Sequence, residues 1–149
     1  MYTIYIHNPK NWELATCYMD TILSDLVHSE NNEQIAKLSE IKALYPEYEE
    51  CLDVQMIYMN ALYHCFRRQP KAIADDFLNE MESLSESSSY PLIKVMYLHY
   101  MILECEGYYS AESLMDELTE IAFDHLHEPN MLEHVEDAQR HVDCLLNGY

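Results

Sequence analysis

The amino-acid sequence predicts an all-α protein: three stacked helical hairpins of about 40 residues, a C-terminal capping helix and a short extended N-terminal arm. Three observations carry this reading. Only two glycines and five prolines occur among 149 residues, too few for the tight turns of a β-sandwich or barrel. The apolar fraction is 49%, and Leu, Met, Glu and Ala, all good helix formers, make up much of the chain, Leu and Glu being the commonest residues. Finally, Leu38-Ser39-Glu40-Ile41 recurs as Leu78-Asn79-Glu80-Met81 and as Leu118-Thr119-Glu120-Ile121, at a spacing of 40 both times. Self-similarity at that period marks a stack of helical units.

The elements follow in order. Tyr2, Thr3, Ile4, Tyr5 and Ile6 are strand formers with no sheet to join. Met1–His7 is therefore expected to pack as an extended arm over the first hairpin, or to pair with the edge of another chain. Helices are predicted over 11–28, 33–45, 50–67, 70–84, 91–106, 110–126 and 131–146. Turns at His28–Asn32, Arg67–Pro70 and Glu106-Gly107 close the hairpins. Pro46, the serine-rich stretch Ser83–Pro91 and Glu128-Pro129-Asn130 separate the units. Pro70 and Pro91 fit first turns, where no backbone donor is needed. Leu14, Tyr18, Ile22 and Leu26 follow i, i+4, i+8, i+12, as do Val54, Tyr58, Leu62 and Phe66, and Ile93, Tyr97, Met101 and Cys105. Such stripes are the faces that helices bury. The whole chain, 1–149, is expected to be one domain, with hairpins near 11–45, 50–84 and 91–126 and a cap at 131–146.

This organisation resembles the α-solenoid class, as a divergent tetratricopeptide-like array of helical hairpins. Gly107-Tyr108-Tyr109 and the pair Ala74 and Phe77 are similar to that type, while its Trp/Leu-Gly signature is missing from the first helix of each hairpin. The resemblance implies a surface that binds peptides or proteins and implies no catalytic residues.

Charge narrows the function. Twenty-seven Asp and Glu stand against eight Lys and Arg, a net charge of −19. Direct nucleic-acid binding is thereby disfavoured, because phosphates require cationic side chains. Between Val95 and Arg140 there is no Lys or Arg. The carboxylates of that interval face water, a distant lysine or a cationic partner. Those taken as partner-binding are Glu104, Glu106, Glu112, Asp116, Glu117, Glu120 and Asp124. Glu40, Glu80 and Glu120 repeat at one register position, either an equivalent surface site or a ladder of carboxylates.

Chemistry is otherwise sparse. With two glycines there is neither a phosphate-binding loop nor a GxSxG elbow, and HExxH is absent. Paired carboxylates such as Asp75-Asp76 read as solvated helix faces. His134, Asp137, His141 and Cys144 share one helical face, with His125 and His127 just before it. Spread over about 15 Å of helix, these four cannot all ligate one ion, and no metal or cofactor is expected. Cys17, Cys51, Cys65, Cys105 and Cys144 form no CxxC pair, as in a reducing compartment. No secretory leader or membrane span is read, so a cytoplasmic protein is expected. The functional expectation is a non-enzymatic interaction module whose acidic face binds and neutralises a basic partner, as an immunity protein does with a toxin nuclease. A DNA mimic, or a chaperone or scaffold repeat, is the alternative; a metal-dependent enzyme using the C-terminal His/Asp/Cys face is a third reading.

Overall fold

The computed structural model describes residues 12–148, and the arm expected over Met1–His7 lies outside them. The described residues contain helices and turns and no strand. The α-helices are α1 Trp12–His28, α2 Asn31–Leu44, α3 Leu52–Arg68, α4 Lys71–Ser87, α5 Pro91–Leu103, α6 Tyr108–Ala122 and α7 Met131–Asn147. Single 3-10 turns, Tyr45–Glu47 and Phe123–His125, prolong α2 and α6. No described helix is long and apolar enough to cross a membrane. The chain divides into two compact units, one ending at Leu84 and one beginning at Ser85, within the last turn of α4.

In the first unit, α1 packs on α2, and α3 packs on both. Met19, Leu26, Ile41, Met59, Leu62 and Met81 are among the fully buried side chains. The last carbonyls of a helix lack partners within it, and here α2 and α3 supply them. Gln34, fully buried, donates from Nε2 to Leu26 O at 3.2 Å, and Arg68 donates from Nη1 to Val27 O at 3.0 Å. Gln69 donates from Nε2 to Asn31 O at 2.8 Å. Pro70 sits just ahead of α4, and its carbonyl accepts the N–H of Ala74 at 3.0 Å.

In the second unit, α5, α6 and α7 all pack against one another. Leu92, Ile93, Met96, Ile102, Leu118, Met131 and Ala138 form its core. Helix α5 opens with Pro91 at its first turn and ends three residues earlier than the sequence suggests. Asn130 precedes α7 in a left-handed conformation (φ 70°), which Asn tolerates better than most residues. Gly148 closes α7 in the same region (φ 77°), with its N–H on Cys144 O.

The predicted stripes are buried in part. Ile22 and Leu26 are in the core, but Leu14 and Tyr18 are half-buried, and Ala15 and Met19 take their places. A four-residue step overshoots a 3.6-residue turn by about 40°, so such a stripe drifts off the packed face. The Leu/Glu/aliphatic repeat is not buried uniformly either. Leu38 and Leu118 are buried while Leu78 is half-buried, because Phe77 occupies the core position in α4. Within the first unit some positions forty apart are alike in burial: Gln34, Ile41 and Leu44 correspond to Ala74, Met81 and Leu84, all buried.

Candidate functional site

Helix α6 buries Ala111, Met115, Leu118 and Ala122. At 100° per residue these four fall within about 60° of arc. Asp116, Glu117 and Glu120 stand on the opposite side and are exposed. Glu112, at the edge of that side, is half-buried and accepts a hydrogen bond from the Tyr108 hydroxyl. That bond, followed by burial and the negative charge of Glu112, raises the Tyr108 pKa. Asp124 is exposed in the 3-10 turn that continues the helix. Helix periodicity thus assembles Glu112, Asp116, Glu117, Glu120 and Asp124 on one face. Glu104 and Glu106 are exposed too, but they lie at the end of α5 and in the connection to α6. Two aromatic rings share the acidic face of α6: Tyr109 is 83% exposed and Phe123 71%. The sequence alone does not mark either as part of this face, although their spacing from Glu112, Asp116 and Glu120 is helical.

The other two repeated carboxylates are engaged in the first unit. Glu40 pairs with Lys37 at 3.5 Å. Glu80 receives Lys42 Nζ at 2.7 Å and the Tyr58 hydroxyl at 2.9 Å. Burial, then the charge of Glu80, raises the Tyr58 pKa. A cavity of about 330 Å³ beside Glu40 is lined by Tyr18, Ala43 and Leu44.

The C-terminal His/Asp/Cys face is split by packing. His134 turns to α5, where its Nδ1 lies 2.8 Å from Nδ1 of His99. Asp137 is exposed and pairs with Arg140 one turn on. His141 Nε2 faces Cys105 O at 3.4 Å, and Cys144 is half-buried. His125 pairs with Glu128, and His127 is exposed. Among the described residues no group of three or more His, Cys, Asp or Glu is arranged to hold a metal ion.

His99 was not singled out in the sequence, and it is the most perturbed histidine here. It is 6% exposed, and its Nε2 is buried without a hydrogen-bond partner. Two neutral rings can share one proton between their Nδ1 atoms. Donation from His99 leaves its Nε2 a bare acceptor, which costs less than burying an unpartnered N–H. Burial, then His134 and His141, pushes the His99 pKa down to about 4. Burial also lowers that of His134, against a smaller opposing effect of Glu133.

The fold and the site together define a class: an all-α protein with one helix face that is acidic and partly aromatic. Comparison with family models, with curated proteins and with solved structures returns no match.

Proposed function

We propose that this chain is a non-catalytic protein–protein interaction module, built as a helical-hairpin repeat, whose acidic α6 face binds and neutralises a basic protein. An inhibitor of a cationic toxin or nuclease domain is the kind of role it fits. The observation that carries the reading is the placement of Asp116, Glu117 and Glu120 on the side of α6 opposite its buried stripe. No Lys or Arg is present between Val95 and Arg140 to neutralise them. Clustered like charge repels itself and costs the compact state stability, whereas a cationic partner turns the same charge into attraction and fast association. The hairpin-repeat reading is supported by the matched burial at a spacing of forty within the first unit. The five free cysteines fit work in the reducing cytoplasm.

The test is association kinetics against a basic partner captured on the immobilised protein. Reversing Asp116, Glu117 and Glu120 together should slow association markedly, whereas reversing Glu47, Glu49 and Glu50 should do so less. Raising salt from about 0.1 to 1 M shortens the screening length from about 10 to 3 Å and should slow the wild-type chain. Equal effects from both sets, with a rate indifferent to salt, would leave a scaffold without charge selection in place of this reading.

A further inference from the structure

Tyr109, Glu112, Asp116, Glu120 and Phe123 are spaced 3, 4, 4 and 3 residues apart, which keeps them on one line along a helix. The line is about 21 Å long at 1.5 Å per residue. Its two aromatic ends are the most exposed large hydrophobic residues described, at 83% and 71%. Single exposed apolar side chains are ordinary. Two aromatic rings closing both ends of a row of carboxylates, in helical register, form a composite surface. At the Tyr109 end the neighbouring Tyr108 ring lies edge-on at 5.5 Å, and its hydroxyl holds the Glu112 carboxylate.

We propose that this line is the docking surface for an arginine-bearing helix of a basic protein, with the carboxylates and the two rings reading guanidinium groups together. The inference rests on the acidic-face reading above and adds the identity of the cation. Carboxylates alone accept lysine or arginine. Exposed ring faces favour the guanidinium, which is planar, weakly hydrated and stacks, over the compact, strongly hydrated ammonium. Aromatic residues and arginines are also the side chains that concentrate binding energy at protein interfaces. The four-residue steps between Glu112, Asp116 and Glu120 match cations repeated every four residues on a partner helix.

The probes are two labelled helical peptides of about 15 residues, long enough to span the line. One carries arginine at every fourth position, the other lysine, and both are titrated against the full chain by fluorescence anisotropy. The arginine peptide should bind about fivefold or more tightly, equivalent to two exposed cation–π contacts. The double variant Tyr109→Ala/Phe123→Ala, both positions being exposed, should keep its helical circular dichroism and lose that preference. Asp116→Asn/Glu120→Gln should weaken both peptides alike. Equal, salt-sensitive binding of both peptides, unchanged by removing the rings, would overturn the arginine inference and leave the acidic-face reading standing. Failure of both peptides to bind at low salt would overturn the inference and count against that reading as well. Self-association of the wild type that is abolished in the aromatic variant, with no peptide binding, would assign the surface to a second copy of this chain and overturn the proposal.

Discussion

The two compact units are built from the same kind of amphipathic helix, yet they differ in charge balance. The first has fourteen carboxylates and six cations, and two of its carboxylates pair with lysines: Glu40 with Lys37, and Glu80, which Tyr58 also binds, with Lys42. The second has thirteen carboxylates against Lys94 and Arg140 alone. Its α6 row stands outward between exposed aromatic rings, and its buried polar residues are Ser85 and His99, the latter against half-buried His134. Under the function proposed above, the difference separates stability from recognition. A carboxylate that touches a lysine on a neighbouring helix, as Glu80 touches Lys42, helps its own fold, whereas one left facing water adds little to it.

Several measurements sharpen or break that contrast. The largest effects belong to the cores and should be similar in both units. Leu38→Ala and Leu118→Ala should each cost about 2–5 kcal/mol in denaturant unfolding, as buried large-to-small changes do. Leu78→Ala, at the half-buried position, should cost clearly less. Equal losses at all three would restore the strict repeat that burial denies.

The next effect is confined to the second unit. Folding lowers the His99 pKa from 6.5 to about 4, so between those values the unfolded chain takes up the proton more readily than the folded one. Stability from this source is complete above about pH 7 and is lost as pH falls toward 4, by about 3 kcal/mol. His134, also lowered, adds in the same direction, and Tyr100, Glu133 and His141 are titratable groups beside the pair. His99→Leu should flatten unfolding free energy against pH over that range. A slope undiminished by the substitution would locate the acid sensitivity elsewhere.

Smaller still is the first unit's internal pairing. Glu80→Gln should cost about 1 kcal/mol, since it weakens a partly exposed ion pair and a hydrogen bond to a charged acceptor. The smallest change is expected on the acidic face. Asp116→Lys and Glu120→Lys should alter stability by no more than about 0.5 kcal/mol, as exposed substitutions usually do. A loss of several kcal/mol there would mean that these carboxylates support the fold and would erase the contrast between the units.

The helices were legible because their signals are local. Punctuation at His28–Asn32, Arg67–Pro70 and Pro91 placed element ends within a few residues of those observed. Hydrophobic spacing named the right helices but the wrong rotation at Leu14, Tyr18 and Leu78, since a motif repeated every 40 residues does not fix the angle at which a 3.6-residue helix meets its neighbour. The acidic face was legible for the same local reason. Glu112, Asp116 and Glu120 recur every four residues, and the absent cations can be read from the chain directly.

What the chain by itself determined was its helical class, its segmentation and its excess of negative charge, all properties of neighbours within a few residues. Only the tertiary structure decided which carboxylates are engaged and which are outward. Glu40, Glu80 and Glu120 look alike in sequence, yet Glu80 meets Lys42 from 38 residues away and Tyr58 from 22, while Glu120 is left exposed. It decided equally the fate of His134, which sequence spacing grouped with Asp137, His141 and Cys144. Packing turned it to His99, 35 residues distant. The physical reason is common to both. Hydrogen bonds and ion pairs act over about 3–4 Å, and no periodicity along one helix specifies which side chains of another will come within that distance.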